Sequence, residues 1–345
     1  MKNIIGLLIL ISLLGCKEDQ ITPPLEKKST FEIYFLKDTT LTIGKIKNSN
    51  VFPFITNLQE LELADKPWIT QDDIEFYEWS THNIYLKKDK SDFFPGTLEF
   101  AYRFPKSWTD RPWIVVANKI HCYAGFFGTE QSTLKYPFPE INALCVGFFP
   151  KDVLTSLWYN RGTTTDIRFN NVVKETLKQC GIFREGIEVS IDTTGSPVKV
   201  YADTTVEYTF KFKNNDNGSL YLFDPAKVKP DVFPFYAGSM NFRYTINNKH
   251  YWTEFKNVKT PNGWPNEFDP SWYTLLKSGE SVKRTFRMRS YPSIIPVGNY
   301  SLQTQYTTPV HALEKNIRET LQGRYFICGG SVFTDTVRVV ISRIY

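Results

Sequence analysis

Carboxylates, aromatic rings and an imidazole crowd into one short stretch, Asp72–Trp79 followed by His82. Paired carboxylates act as acid and base on a glycosidic bond when their oxygens lie roughly 5–10 Å apart across the sugar. Alternatively, these residues lie on the solvent-exposed edge of a sheet and are simply solvated. No second motif fixes the distance between the carboxylates. The sequence favours the solvated interpretation and keeps a carbohydrate-active hydrolase as the alternative, with these candidate residues: Asp72, Asp73, Glu75 and Glu78.

Other chemistry-bearing residues are dispersed along the chain. The histidines are His82, His121, His250 and His311, a spacing that disfavours a histidine metal site. No Gly-x-Ser-x-Gly elbow, His-Glu-x-x-His pair, phosphate-binding glycine loop or dinucleotide fingerprint occurs. The sequence therefore predicts no metal and no cofactor, and it favours a non-enzymatic protein.

Aromatic residues are concentrated around the proline-rich segment 260–271, which the sequence predicts to be a loop. Flat rings on a loop stack on sugars or anchor a partner protein, because they offer a large contact area at low entropic cost. The alternative is local packing, since aromatic rings also fill β-sandwich cores. The candidate ligand contacts are Trp252, Trp264, Phe268, Trp272 and Tyr273.

The start of the chain combines a basic residue, Lys2, with the apolar run Ile4–Leu14 and the sequence Leu13-Leu14-Gly15-Cys16. The run is shorter than the roughly 20 apolar residues of a membrane-spanning helix. The pattern resembles the lipobox of a bacterial lipoprotein signal peptide. The resemblance implies that residues 1–15 are removed and that Cys16 carries the lipid, which gives the protein a membrane partner.

A lipobox places the chain in the cell envelope, anchored to the outer membrane. The acidic start Lys17–Gln20 resembles a short signal that sends lipoproteins to the outer cell surface, and a periplasm-facing position stays open. Residues 16–29 are predicted to form a tether. Losing Lys2 lowers the formal charge only from +5 to +4, which does not favour nucleic acid as a partner.

Four further cysteines follow Cys16: Cys122, Cys145, Cys180 and Cys328. An even number in an oxidising compartment permits up to two disulfides, with three complete pairings. The sequence does not select one. Cys122 with Cys145 is favoured because they lie on adjacent predicted strands.

Two domains are predicted by the change in hydrophobic period. Residues 30–186 mix short strands with one amphipathic helix over Asn171–Cys180, capped by Asn170 and ended by Gly181, which predicts an α+β domain. From residue 187 to 345 the period is two, as in Val206–Lys213, which predicts an antiparallel β-sandwich.

Two late segments, Leu276–Ser281 and Pro296–Leu302, are similar to the last strands of bacterial immunoglobulin-like domains, in which a Gly-x-Tyr opens a strand. The resemblance implies an immunoglobulin-like fold and carries no catalytic residues. The stretch Thr308–Gly323 predicts a helix inserted before the last strand. The fold expected is mainly β with some α.

Together these observations predict a cell-envelope lipoprotein that acts as a non-enzymatic binding or assembly module for a glycan or another envelope protein. The hydrolase above is the alternative. Protease inhibition, by fold analogy with some bacterial immunoglobulin-like inhibitors, is a further one.

Overall fold

The computed structural model describes residues 29–42, 58–87, 110–128, 138–142, 152–157, 166–192, 198–201, 205–227, 240–246, 249–253, 269–289, 296–308, 317, 321, 326–327, 330–335 and 337–342. Within this part of the chain, strands dominate and are arranged in four sheets.

The first half forms one nine-stranded mixed sheet, in the order β2-β1-β5-β6-β7-β8-β4-β3-β9. The pairs β6–β7 and β3–β9 run parallel. The strands are β1 (Phe31–Phe35), β2 (Ile69–Thr70), β3 (Ile74–Glu78), β4 (Asn83–Leu86), β5 (Pro112–Ala117), β6 (Ile120–Gly128), β7 (Glu140–Asn142), β8 (Val153–Leu157) and β9 (Phe183–Arg184).

The continuous apolar runs of the sequence form the interior strands of this sheet. Every residue of β5 is buried, as the continuous run Trp113–Ala117 predicts for an interior strand. The helix α1 (Asn171–Gln179) covers one face, because Val173 and Leu177 belong to the same buried cluster as Ile33, Tyr77 and Trp113. This half is an α+β unit with a helix packed on a sheet.

The ends of α1 are confirmed as the sequence predicts them. The Asn170 side-chain oxygen accepts hydrogen bonds from the backbone N–H groups of Val172 and Val173, which satisfies two donors of the first turn. Gly181 then adopts φ +72°, a left-handed conformation that glycine provides at a helix end.

The second half contains twelve strands in three sheets. One sheet has the order β10-β12-β17, a second β11-β21-β18-β14-β15 with β20 beside β18, and a small third β16-β13-β19. The strands are β10 (Ile187–Ile191), β11 (Val198–Tyr201), β12 (Thr205–Asn214), β13 (Leu220–Phe223), β14 (Met240–Ile246), β15 (Lys249–Thr253), β16 (Tyr273–Leu276), β17 (Ser281–Arg289), β18 (Gly298–Thr308), β19 (Phe326–Ile327), β20 (Gly330–Phe333) and β21 (Val337–Ser342).

The two larger sheets share one core, which makes this half an immunoglobulin-like β-sandwich. Phe212 on β12 meets Tyr306 on β18 across the core, edge to face, with ring centroids 5.2 Å apart. The hydroxyl of Tyr300 donates a 2.6 Å hydrogen bond to the carbonyl of Pro296, four residues earlier. This is the tyrosine corner of immunoglobulin-like sandwiches, and it explains the Gly-x-Tyr signal in the sequence.

Some sequence predictions differ from the structure or fall outside the described residues. The stretch Val332–Ile341, whose composition suits a single strand, contains the end of β20 and most of β21, with Thr334 and Asp335 between the two strands. Most of the predicted helix Thr308–Gly323 lies outside the described residues. Its described residues are Thr308, which ends β18, and Ile317 and Leu321, which are both buried; the Leu321 N–H donates to the Ile317 carbonyl as in a helix.

No helix among the described residues is long and apolar enough to cross a membrane.

Candidate functional site

A cavity of about 290 Å³ opens where the nine-stranded sheet meets the sandwich. The first half contributes the turn after β3, the loop before α1 and the end of β9, and the second half contributes β10, the end of β12 and the end of β20. The volume is near the lower end of the range for small-ligand sites, about 300–1,000 Å³. The lining residues are Trp79, Ser80, Asp166, Arg168, Phe169, Glu185, Ile187, Glu188, Val189, Asn215, Val332, Phe333 and Asp335.

The aromatic wall of this cavity comes from a tight turn and a loop. Trp79 and Ser80 lie in the turn between β3 and β4, which His82 closes with φ +58°. Histidine is one of the few non-glycine residues that enter this region with some frequency. Phe169 lies across the turn and is 51% exposed, with its ring centroid 5.5 Å from Trp79 and 4.5 Å from His82.

A buried ion pair holds the loop that carries Phe169. The Arg168 guanidinium donates to both carboxylate oxygens of Asp166, at 2.6 Å for the shortest contact. Its remaining Nη1 donates to the Ser156 carbonyl at the end of β8. Both charged side chains are largely buried, so their pairing is needed to offset desolvation. The loop is thereby fixed to the sheet.

Behind the aromatic wall, the imidazole of His82 is fully buried. Burial, assisted by the positive charge of Arg168, holds the pKa of His82 well below its ordinary value, so the ring is neutral. Burial also raises the pKa of Tyr77 to about 12, so its hydroxyl keeps its proton, and it shares a 2.9 Å hydrogen bond with Nδ1 of His82. Nε2 of His82 has no hydrogen-bond partner among the described residues.

The junction between the two halves is held by backbone hydrogen bonds around Gly186. Trp79 and Ser80 donate to the carbonyls of Arg184 and Glu185, and Asn215 donates to that of Gly186. The Ser80 hydroxyl accepts from the Ile187 N–H over 3.2 Å. These bonds tie the turn after β3 to the start of the sandwich, which keeps the two walls of the cavity in a defined arrangement.

We expect Gly186→Ala to destabilise the protein by about 2 kcal/mol, more than the matched Gly181→Ala. Both glycines have positive φ, at +82° and +72°, and a side chain in that region costs roughly 1–2 kcal/mol. A Cβ at Gly186 would also lie 2.1 Å from the Ser80 hydroxyl, whereas one at Gly181 meets nothing within 4 Å. Urea denaturation of both variants measures the difference. Equal losses of stability would contradict the close packing at the junction.

The structure divides the acidic segment of the sequence among different environments. The carboxylate of Asp73 accepts from the backbone and hydroxyl of Thr70 and so closes a capping box. Asp72 and Glu75 are exposed. Glu78 is fully buried, where it accepts hydrogen bonds from Ser80 and from the Tyr85 hydroxyl at 3.3 and 3.4 Å.

The predicted aromatic contacts are corrected where the structure describes them. Trp272 and Tyr273 are buried, at 5% and 4% exposure, and the Tyr273 ring packs edge-on against Phe223. Both rings therefore fill the interior and offer no surface to a ligand. Trp252 lies on β15, and its side chain is outside the described part, as are Trp264 and Phe268 altogether.

Cys122 and Cys180 are partly buried, and their thiols donate to the backbone carbonyls of Ile120 and Ser29, each over 3.4 Å. Burial raises the pKa of Cys122 to about 11, which disfavours the reactive thiolate. Cys145 lies outside the described residues, so the pairing of Cys122 with Cys145 stays a prediction. Within the described ranges, no group of three or more His, Cys, Asp and Glu side chains is arranged to hold a metal ion.

Sequence reasoning missed most of the cavity. It singled out the segment that contains Trp79, but not the loop Asp166–Phe169 or the acidic residues Glu188 and Asp335. The one local signal was an Asp-x-Arg pair immediately before the helix cap Asn170. A charged pair at that position holds the loop and also adds charge to the cavity wall.

The fold and cavity define a two-part, mainly β protein with an immunoglobulin-like second half. No family model matches the chain, and no curated protein matches it. Solved structures that match part of the chain include the CARDB domain of PF1109 from Pyrococcus furiosus, 15% identical over 45% of this chain and 93% of that chain, with a TM-score of 0.20. The PapD-like domain 7 of human CEP192 is 8% identical over 47% and 87%, also with a TM-score of 0.20. The sporulation control protein Spo0M from Bacillus subtilis is 8% identical over 46% and 49%, with a TM-score of 0.22. Similarities this low carry no argument about function.

Proposed function

We propose that this protein is a lipid-anchored binding protein of the cell envelope, without catalytic activity, and that its cavity binds a glycan. The observation that carries the proposal is the cavity of about 290 Å³, which combines the exposed aromatic residue Phe169 with charged side chains. Sugars present apolar faces that stack on such rings and hydroxyls that bond to polar groups. A lipid on Cys16 would hold this site at the membrane surface.

The exposure of Phe169 favours a ligand that covers an aromatic face. The residue is 51% exposed although its ring packs against two other rings, and it lines the cavity, so part of its apolar surface is open to solvent. Covering it removes that area from water, at about 25 cal/mol per Å².

Two of the carboxylates that line the cavity are paired with cations, which favours binding without turnover. The Asp166 carboxylate is engaged by Arg168, and the Glu185 carboxylate by Lys174 over 2.8 Å. A glycosidase acid lies in an apolar environment without a cation beside it, and this is not the environment of Asp166 or Glu185.

We expect Phe169→Ala to weaken binding of N-acetylglucosamine tetramer about tenfold, because the variant removes the stacking surface and keeps the fold. Phe169→Tyr retains the ring and should bind like the natural protein. Val297→Ala is the matched control, because Val297 is 52% exposed but is not among the residues that line the cavity. Isothermal titration gives the affinities, and thermal unfolding verifies the fold.

Three outcomes would overturn the proposal. The first is failure of the natural protein to bind any member of a panel of neutral and amino oligosaccharides. The second is binding that is insensitive to Phe169→Ala. The third is release of shortened sugars, detected by chromatography, which would replace binding by hydrolysis.

A further inference from the structure

The cavity carries more negative than positive charge. Four carboxylates and one guanidinium line it: Asp166, Glu185, Glu188, Asp335 and Arg168. Two of the carboxylates are compensated. Asp166 pairs with Arg168, and Glu185 pairs with Lys174, a cation of α1 whose Nζ lies 5.5 Å from the centre of the Trp79 ring.

The other two carboxylates lack a cation among the described residues. Glu188, on β10, accepts only from the neutral side-chain amide of Asn215, over 3.0 Å. Asp335, just after β20, is exposed, and no hydrogen bond or ion pair joins it to another residue that the structure describes. Arg184, the other nearby cation at the junction, donates to Asp216 over 3.1 Å. Two uncompensated negative charges therefore belong to the sandwich wall of the cavity.

The opposite wall does not neutralise them. His82, behind the aromatic rings, is buried and neutral, with its pKa held low by burial and by Arg168. Trp79 and Phe169 of this wall are apolar, as are Phe333 and Val332 of β20 on the sandwich wall itself. Aromatic rings attract cations through their negative faces. A ligand with an apolar face and a positive charge therefore complements this cavity better than a neutral or anionic one.

We infer that the bound glycan is an amino sugar whose protonated amine lies against Glu188 and Asp335, while its ring stacks on Phe169. This inference rests on the proposed function and names the ligand class of the same cavity. The ammonium group pairs with the uncompensated carboxylates of the sandwich wall, and the pyranose ring packs on the apolar residues of the opposite wall. An anionic polysaccharide is disfavoured by the same charges.

The test compares two probes that share one backbone, glucosamine tetramer and N-acetylglucosamine tetramer, at a pH that keeps the free amines protonated. We expect the glucosamine tetramer to bind about tenfold more tightly at low salt. The preference should shrink at physiological ionic strength, where the Debye length falls to about 8 Å. Glu188→Gln and Asp335→Asn should each weaken binding of the glucosamine tetramer about threefold and leave the acetylated probe unchanged.

The controls separate this inference from the proposed function. Glu62→Gln removes an exposed carboxylate outside the cavity, paired with Lys37, and should alter neither affinity. Equal affinities for the two probes would overturn the amino-sugar inference and leave glycan binding in place. A preference that survives in the double variant Glu188→Gln/Asp335→Asn would also overturn it. Absence of binding to both probes would refute the inference and the proposed function together.

Discussion

A Cys16→Ser variant is expected to leave the membrane fraction completely and to lose all lipid labelling. The hydroxyl of serine does not replace the thiol that accepts diacylglycerol, so no acyl chain would be attached. Each buried methylene contributes about 0.8 kcal/mol to membrane binding, so two or three chains make anchoring practically permanent and their loss releases the protein. Metabolic labelling with a clickable fatty acid, followed by membrane fractionation, measures both effects.

Cys122→Ser is the matched control for this experiment, because it removes a thiol that is far from the lipobox in sequence. It should retain label and membrane attachment. Label that persists in Cys16→Ser, or a mature chain that still contains residues 1–15, would refute the lipoprotein assignment. The position of the anchored protein, periplasmic or surface-exposed, is a separate question that protease accessibility in intact cells answers.

Replacing Arg284 with alanine is expected to destabilise the sandwich by about 3 kcal/mol. The Arg284 guanidinium, on β17, donates to both oxygens of the Asp224 carboxylate, which is fully buried. Thr274 donates to the same carboxylate over 2.6 Å. Removal of one partner of a buried pair leaves an uncompensated charge, which costs roughly 3–5 kcal/mol. We take the lower end because Arg284 is itself 23% exposed.

The pH dependence of this effect follows from the pKa of Asp224. Burial opposes its ionisation, but hydrogen bonds from Arg284 and Thr274 outweigh burial and lower the pKa below its ordinary value. A carboxyl whose folded pKa is depressed stabilises the fold fully above its unfolded pKa, about 3.9, and this stability is lost as the pH falls through the folded pKa. The difference between the natural protein and Arg284→Ala should therefore be largest near neutral pH and shrink in acid.

Lys283→Ala provides the neighbouring control for Arg284→Ala. Lys283 pairs with Asp192 over 2.5 Å, but its side chain is 61% exposed, and such surface pairs contribute about 0–1 kcal/mol. Urea denaturation at neutral and acidic pH compares the two variants. Equal destabilisation of the two variants at neutral pH would contradict the buried pair. So would a difference in unfolding free energy between the natural protein and Arg284→Ala that grows in acid.

Local patterns predicted much of the fold. The helix α1 was predictable because its cap Asn170, its apolar stripe and its terminator Gly181 act within a few residues of one another. Strands β12 and β17 were predictable because alternation places every second side chain on the same face of a strand. The tyrosine corner at Tyr300 was signalled by three adjacent residues.

The candidate site was less predictable, because its parts are distant in sequence. Trp79, Arg168, Glu188 and Asp335 are separated by up to some 250 residues, and nothing in their local neighbourhoods marks them as partners. Trp272 and Tyr273 were predicted to contact a ligand, but both are buried. Sequence alone does not separate the two roles, because large aromatic rings stabilise a core as readily as they form a binding surface.

The sequence by itself determined the mainly β composition, the helix with its caps and the immunoglobulin-like pattern of the second half, and it supplied the lipobox-like start on which the envelope proposal depends. These features are encoded by neighbouring residues, whose spacing sets period, caps and turns. Only the tertiary structure decided which charges are compensated, which aromatic rings are exposed and where the cavity lies. Those properties depend on which distant segments meet, and a contact between distant segments leaves no mark in local spacing.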